Sequence, residues 1–286
     1  MTLTAANATY RTITVSPIAG SLGAEISGID LAEDLDEEVV GEIRRAWLEH
    51  LVVFFRDQPI SDERFVNLAR RFGTIGRYPF VPGIPGHPEI IAVLKEPHET
   101  VNFGGIWHSD TTYLEQPPSA TLLLGREIPP AGGDTLFANQ YDAYDALSPA
   151  LRSLLDGLRA VNSSARADVS KTREDRLADL DLTDADLDYE SCHPVVRTHP
   201  ETGRKALFVN VAHTARFDGM TEQESAPLLN FLFAHQVKPE FTCRFRWAAG
   251  SLAMWDNRCA QHNPINDYHG HRRLLHRITL EGDTPA

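Results

Sequence analysis

Residues 241–262 read FTCRFRWAAGSLAMWDNRCAQH, and this stretch predicts two short β-strands with a glycine between them. Aromatic and other β-prone residues fill both runs, and the pair Asp256-Asn257 that follows is a turn signal. A new segment therefore begins near His262, directly after a buried hairpin.

Short runs of β type dominate the chain from Ile90 onward. Glycine, proline and asparagine separate these runs, which is typical of a β-sandwich or barrel rather than of alternating strands and helices. The predicted strands lie at 51–55, 90–94, 120–124, 195–198, 206–209, 241–247, 252–255 and 274–280. The chain is therefore expected to be mainly β.

Four helical segments flank or interrupt this β pattern. In the first, apolar residues recur with the i, i+3, i+7 spacing of an amphipathic helix. Ser61, Ser148 and Thr221 precede the other three, and each is a favoured N-cap residue. The predicted helices cover 37–50, 63–72, 149–158 and 222–235.

The length of the chain fits one domain. Its 286 residues are 42% apolar, which is enough to bury a sizeable core, and we predict a single domain over 1–286. The stretch near 165–190 is rich in aspartate and glutamate and poor in aromatic residues. It is expected to be a mobile surface insertion.

Charge and cysteine content exclude several classes of partner. A formal net charge of -13 argues against nucleic acid, because phosphate binding needs clustered lysine and arginine. Cys192, Cys243 and Cys259 form no C-x-x-C pair, which disfavours a disulfide framework and a thiolate zinc site. Residues 1–17 lack the pattern of a signal peptide, so we expect a cytoplasmic protein without a membrane partner. Association with a second copy of the chain stays open.

The pair His108 and Asp110 is a candidate for two ligands of a metal. In an extended segment, side chains at i and i+2 point the same way. A further histidine would complete a two-histidine, one-carboxylate set, which leaves metal positions open and suits iron(II). The motif alone is weak, because 40 acidic residues and 12 histidines predict about two H-x-[DE] matches by chance. The chain has three, beginning at His87, His108 and His199.

Context separates the three matches. His87 and His199 each precede a proline within a turn-like segment, so they are predicted to be solvated turn residues. His108 lies between a Gly-Gly pair and the β-prone run 111–114, which predicts a rigid site beside a flexible loop. The residues alone leave a metal ligand and an ordinary histidine equally open at His108.

The second histidine ligand has several candidates. His262 directly follows the predicted hairpin, whereas His269 and His271 flank a glycine in a polar loop and are expected to be solvated. His276 lies in the last strand with parity opposite to Arg273 and Arg277. We therefore favour His262.

Arg273 and Arg277 share one face of the last predicted strand. Two arginines on an otherwise apolar strand are costly to bury without anions, and a guanidinium group pairs well with carboxylate or sulfate. From periodicity alone, an exposed face with two solvated arginines is an equal alternative.

Four runs in this chain resemble the taurine dioxygenase family, which includes phenoxyalkanoate dioxygenases and oxygenative alkylsulfatases. They are WHSDTTY at 107–113, GGDT at 132–135, WDNRCAQH at 255–262 and RRLLHR at 272–277. Their order and spacing agree with the family over nearly the whole chain. The resemblance implies a mainly β fold with flanking helices, a double-stranded β-helix or jelly roll, with iron(II) bound by His108, Asp110 and His262.

The resemblance also implies the co-substrates 2-oxoglutarate and O₂. Thr135 and Arg273 would hold the distal carboxylate of 2-oxoglutarate, and Arg277 would bind a small anionic organic substrate. Without the resemblance, GGDT would predict an ordinary hairpin turn. The expected reaction is hydroxylation of a sulfonate, sulfate ester or aryloxyalkanoate, with release of succinate and CO₂. A zinc hydrolase and a metal-free anion-binding β-sandwich are the alternatives, although the hydrolase leaves Arg273 and Thr135 without a role.

The departures from the family concern the substrate. Taurine-specific members carry a histidine and a tyrosine after R-F-G, whereas residues 71–73 are followed here by Tyr78 and Phe80 without a histidine. These residues favour a larger or more apolar substrate than taurine. Asn102 and His213 complete the candidate substrate contacts, although for His213 the sequence favours a place at the surface or behind the pocket wall.

Overall fold

The structure is a computed structural model that describes residues 10–78, 80–166 and 189–286. The acidic stretch predicted as an insertion near 165–190 lies almost wholly outside these residues. None of the helices within the described ranges is both long enough and apolar enough to cross a bilayer.

Fifteen strands and five α-helices lie in the described residues. The strands are β1 Thr14–Pro17, β2 Ala24–Ser27, β3 Val52–Phe55, β4 Ile91–Lys95, β5 Ala120–Glu127, β6 Thr135–Asn139, β7 Arg159–Ser163, β8 Glu190–Pro194, β9 Val196–Thr198, β10 Lys205–Leu207, β11 Thr214–Phe217, β12 Thr242–Phe245, β13 Leu252–Asp256, β14 Ala260–Pro264 and β15 Arg273–Leu280. The helices are α1 Glu37–His50, α2 Asp62–Arg70, α3 Gln140–Asp145, α4 Pro149–Leu155 and α5 Glu222–His235.

Two facing β-sheets form the centre of the molecule. The larger has the strand order β1-β2-β3-β13-β5-β15-β4, and the smaller has the order β12-β6-β14. Every pairing within them is antiparallel except that of β2 with β3. This two-sheet architecture confirms the predicted mainly β fold of jelly-roll type.

The core between the sheets is aromatic. Phe54 on β3 stacks on Phe245 of β12 with ring centroids 4.0 Å apart, and Phe137 of β6 meets Phe54 edge-on at 5.6 Å. Each of the three rings buries a large apolar surface. The contact fixes the distance between the sheets at the end where the candidate site lies.

The other face of the large sheet is covered by α1 and α2. Ile43, Trp47 and Phe65 from these helices pack on the sheet residues Phe55 and Leu122. The sheet is therefore buried on both faces, which explains why β3 is a continuous apolar run, VVFF, rather than an alternating one. Helical periodicity and N-caps predicted these helices correctly. Asp36 and Ser61 cap α1 and α2 through side-chain oxygens that accept from Val39 N–H and Arg64 N–H.

Several strands were not predicted because their own residues carry little β signal. β14 has the sequence AQHNP, yet it pairs along its whole length with β6 in the smaller sheet. The same holds for β8, ESCHP, which pairs with β7. In both cases the pairing partner, and not local propensity, determines the strand.

Candidate metal centre and surrounding cavity

Two backbone hydrogen bonds join His108 to His262. The N–H of His108 donates to the carbonyl of His262 at 3.0 Å, and the N–H of His262 donates to the carbonyl of His108 at 2.8 Å. The imidazole rings lie 4.1 Å apart between centroids. The loop that carries His108 is thus attached to β14, which carries His262.

Asp110 lies beside the two histidines. Each of the three side chains offers one ligand atom, and these atoms all lie within 4.8 Å of one another. All three residues are buried. The structure therefore brings together the three residues that the sequence predicted, and two imidazoles with one carboxylate are a donor set that suits iron(II).

The segment from His108 to Asp110 is not the extended strand that its neighbours predict. Asp110 begins a turn in which Thr111 has a φ of 42° and Leu114 N–H donates to the carbonyl of Thr111 at 3.0 Å. Gly104 has a φ of 67°, and a Cβ there would lie 2.9 Å from Cε1 of His108. Glycine at this position allows the loop to pass closely over the imidazole ring.

The histidines are prepared to act as ligands. Nδ1 of His108 donates to the carbonyl of Ile106 at 2.7 Å, which leaves Nε2 with its lone pair for a metal. Nδ1 of His262 is buried and has no hydrogen-bond partner among the described residues. Burial lowers the pKa of His108 and lowers that of His262 still further, so both rings are neutral, as metal binding requires.

Asp110 is held by three polar neighbours. Its Oδ2 accepts from the Thr121 hydroxyl at 2.5 Å, and its Oδ1 lies 2.8 Å from Nη2 of Arg277. Burial alone would raise the pKa of Asp110, but the Arg277 guanidinium beside it helps to lower that pKa below the usual value. Asn257 donates to Thr121 at 2.9 Å and accepts from the Asp110 N–H at 3.4 Å. The carboxylate is thus ionised and fixed in orientation.

Thr121 and Asn257 were not predicted as site residues. Asn257 was interpreted only as a turn signal, and Thr121 only as a member of a strand. For Thr121 a signal was available, because it is a polar residue within a strand that is otherwise apolar and buried on both faces. Such a residue needs a hydrogen-bond partner inside the protein.

Arg273 is buried beside the Gly-Gly-Asp-Thr run. Only 4% of its surface is exposed, and its Nε and Nη2 have no hydrogen-bond partner among the described residues. Gly133 has a φ of 70°, and a Cβ there would lie 3.1 Å from Nε of Arg273. Trp247 connects Arg273 to Thr135, because its ring lies 5.9 Å from the guanidinium carbon and its Nε1 donates to the Thr135 hydroxyl at 2.9 Å.

Arg277 lies on the same inward face of β15. It is 5% exposed and lies over the Tyr78 ring at 5.1 Å, whereas His276, on the opposite face, donates from Nδ1 to Oδ1 of Asp62 at 2.8 Å. The shared face predicted for the two arginines is therefore confirmed, and the alternative of an exposed face is wrong. A buried guanidinium needs anionic partners, and Asp110 supplies only one.

A cavity of about 470 Å³ opens over these residues. The predicted site residues that line it are Tyr78, Asn102, His108, Asp110, His213 and Arg277. Phe80, also predicted to contact substrate, does not line it but packs behind Tyr78 at 5.6 Å between ring centroids. The place favoured for His213, at the surface or behind the wall, was also wrong, because the residue is only 5% exposed and lines the cavity.

Solvent exposure was predicted for four histidines, and the structure confirms it for only some of them. His269 and His271 are exposed, as predicted, and His87 is half-buried in a turn. His199 lies in a turn but is only 1% exposed, so its predicted solvation was wrong. The reason is tertiary, because its Nε2 donates to Oδ2 of buried Asp256 at 3.0 Å.

His199, Asp256 and Cys259 form a second close group of metal-ligating residue types. Arg258 occupies both oxygens of Asp256 at 2.7 and 2.8 Å, and His199 Nδ1 accepts two backbone N–H groups at 3.2 Å. Every ligand atom of the carboxylate and imidazole is therefore engaged. This group stabilises the β13–β14 turn and offers no site for a metal.

Comparisons with known proteins agree with this geometry. The family model described as "Taurine catabolism dioxygenase TauD, TfdA family" matches residues 14–279. An alpha-ketoglutarate-dependent sulfate ester dioxygenase of Pseudomonas putida is 36% identical, over 95% of this chain and 90% of that protein. A 2,4-dichlorophenoxyacetate dioxygenase of Cupriavidus pinatubonensis is 33% identical, over 95% of this chain and 98% of that protein.

Solved structures show the same fold. A taurine dioxygenase from Burkholderia xenovorans superposes with a TM-score of 0.82 at 37% identity, covering 96% of this chain and 93% of its own. A structure described as AAD-2 in complex with Mn(II) and N-oxalylglycine has a TM-score of 0.77 at 28% identity, covering 96% of this chain and 99% of its own.

The first prediction concerns the metal ligands. Replacing His108, Asp110 or His262 by alanine removes one of three donors and should abolish binding of iron(II), measured by metal analysis after anaerobic loading and desalting. His87→Ala should retain iron. His199→Ala should also retain it while losing about 1 to 3 kcal/mol of stability, because Asp256 loses a buried donor. Iron loss in His199→Ala with retention in His108→Ala would contradict the assignment.

The second prediction concerns Arg273. Arg273→Ala should raise the KM for 2-oxoglutarate by about 30-fold to 1000-fold, since a bidentate charged contact contributes ~2 to 4 kcal/mol. Arg272→Ala is the matched control, because Arg272 points to the other face and pairs with Glu96 and Glu127. Equal KM values in the two variants would mean that Arg273 does not meet the co-substrate.

Proposed function

The chain belongs to the TauD/TfdA family of iron(II)- and 2-oxoglutarate-dependent dioxygenases, and on that premise we propose that His108, Asp110 and His262 hold its iron. Bound iron(II) supplies the oxidising chemistry, which couples the decarboxylation of 2-oxoglutarate by O₂ to hydroxylation of a substrate carbon. The enzyme therefore releases succinate and CO₂. Membership of this family removes the zinc-hydrolase and anion-sensor alternatives.

The protein residues orient the reactants and exclude water. In this proposal Arg273 and Thr135 bind the distal carboxylate of 2-oxoglutarate, which would give the free Nε and Nη2 of Arg273 their anionic partner. Thr121 and Asn257 hold Asp110 in one orientation toward the metal.

The substrate is proposed to be a monoanion with an apolar body, first of all an alkyl sulfate ester, with sulfonates and aryloxyalkanoates as related chemical classes. The observation that carries this proposal is the burial of Arg277 at the cavity wall with an Nε that has no hydrogen-bond partner among the described residues. Two relatives at 36% identity are named for sulfate esters, the dioxygenase of P. putida and an alkylsulfatase of Acinetobacter baylyi.

The remainder of the cavity favours an apolar body over an ammonium group. Val101 and Ile106, two of the exposed large apolar residues, line it with Phe103 and Tyr113. Asp110 is the one carboxylate among the described lining residues, and it already pairs with Arg277. The ammonium group of taurine would therefore lose hydration without gaining an anionic partner.

His213 is proposed to donate a hydrogen bond to the substrate. Oγ1 of Thr112 accepts from the Asn210 amide at 3.1 Å and lies 3.0 Å from Nδ1 of His213. The buried Thr112 hydroxyl needs an acceptor for its own hydrogen, and Nδ1 is the acceptor present. The imidazole hydrogen is thereby placed on Nε2, where it can meet an ester or sulfonate oxygen.

The experiment for the substrate class is a panel scored by succinate release. Alkyl sulfates, sulfonates, aryloxy acids, taurine and matched neutral alcohols are compared in the wild type and in Arg277→Gln. We expect alkyl sulfates to give the highest kcat/KM, and Arg277→Gln to lose at least about tenfold in kcat/KM on every anion while its KM for 2-oxoglutarate is retained. Iron content is measured in each variant and turnover is expressed per bound iron, because Arg277 also contacts Asp110.

Arg77→Gln is the control, because it removes the same charge from an exposed residue outside the cavity lining. Best turnover of neutral alcohols, or of taurine over every bulkier anion, would show that the substrate assignment is wrong.

The prediction for His213 separates its role from that of Arg277. His213→Phe keeps a ring in the wall but loses the donor, so the KM for the anionic substrate should rise about 5-fold to 20-fold, with the KM for 2-oxoglutarate unchanged. Thr112→Val, which leaves Nδ1 without its donor and frees the tautomer, should give a smaller rise. If His213→Phe binds the substrate as tightly as the wild type, His213 is only a wall residue.

A further inference from the structure

Lys95 is a buried cation that has no part in the proposed metal, 2-oxoglutarate or substrate contacts. It ends β4, is 3% exposed, and is the cross-strand partner of Arg273 on β15. Directly paired residues on antiparallel strands project from the same face of a sheet. Lys95 and Arg273 therefore project together into the space between the sheets.

The ammonium group of Lys95 has no hydrogen-bond partner among the described residues. Its Nζ lies 4.2 Å from the centre of the Tyr268 ring, and the Arg273 guanidinium carbon lies 5.6 Å from the same centre. One aromatic ring thus contacts both cations. A ring quadrupole offsets only part of the cost of burying a charge.

Other buried cations in the described residues have carboxylate partners. Nη2 of Arg197 lies 2.6 Å from Asp283, and Arg258 pairs with Asp256 at 2.7 Å. Asp134, the carboxylate nearest in sequence to Gly133, is bound by Arg244 at 2.7 Å. Burial lowers the pKa of Lys95, against the opposing effect of Glu99. Two neighbouring cations without such partners form a site that an anion would stabilise.

We propose that Lys95 is a second binding residue for the distal carboxylate of 2-oxoglutarate, acting with Arg273 from the adjacent strand. This inference rests on the proposed role of Arg273. Arg273 would supply a planar, directional contact, and Lys95 would supply a point charge on the same oxygen atoms or on the neighbouring side of the carboxylate.

The test measures ligand binding rather than turnover. Mn(II)-loaded protein is titrated anaerobically by calorimetry with 2-oxoglutarate and with 2-oxopentanoate, in which a methyl group replaces the distal carboxylate. The wild type, Lys95→Met and Lys238→Met are compared. Lys238 is the matched control because it is exposed and its loss changes the net charge equally.

Lys95→Met should weaken binding of 2-oxoglutarate by about tenfold or more and leave 2-oxopentanoate binding unchanged, since a hydrogen bond to a charged group contributes that much affinity. Lys238→Met should alter neither. An equal loss for both keto acids, or no loss for either, would overturn the proposal and leave Lys95 as a packing partner of Tyr268.

A second variant covers the case in which Lys95→Met does not fold. Lys95→Gln retains a polar group without the charge, and it should show the same loss that is specific to 2-oxoglutarate. Binding by the wild type distinguishes a failure of the role proposed for Arg273 from a failure of the role proposed for Lys95. If it binds 2-oxopentanoate as tightly as 2-oxoglutarate, the role given to Arg273 fails as well, whereas a preference that survives in both Lys95 variants contradicts Lys95 alone.

Discussion

The paired backbone hydrogen bonds between His108 and His262 are the contact on which the site depends. They attach a loop that has no regular structure to β14, which is itself held in register by β6. Asp110 follows two residues later in a turn, so its position is determined by the same attachment. Side chains that lie far apart in sequence thereby acquire a fixed relative geometry, so that in their proposed role as metal ligands they would need little reorganisation.

Buried positive charge is the second feature that shapes the molecule. Lys95, Arg273 and Arg277 all project from β4 and β15 into the interior. Such charges destabilise the fold unless anions meet them, and a site that contributes unfavourably to stability is expected where binding is the function. In the proposed roles, the anionic co-substrate and substrate would therefore stabilise the folded protein as they bind, the first at Arg273 and the second at Arg277 on the same strand.

The residues of the cavity wall can change more freely than those of the candidate metal centre. His262 and Arg273 lie on strands, and paired backbone hydrogen bonds join His108 to β14, whereas the cavity wall is built largely by loops, including 101–106. Relatives of similar identity are named for sulfate esters and for a phenoxyacetate. A fixed group of His108, Asp110 and His262 beside a wall of loops allows one fold to serve both classes, because loop residues can change without moving these three side chains.

The sequence by itself determined the properties that depend on local periodicity. The bounds of α1 and α5, the N-caps at Ser61 and Thr221, and the shared face of Arg273 and Arg277 all follow from spacing within one element. The family resemblance added His108, Asp110 and His262 as the predicted metal ligands, and the structure brings these three side chains together. Only the tertiary structure decided that His199 is buried against Asp256, that His213 faces the cavity while Phe80 lies behind it, and that AQHNP is a strand. Each of these depends on partners distant in sequence, whose contacts override local propensity once the sheets pack.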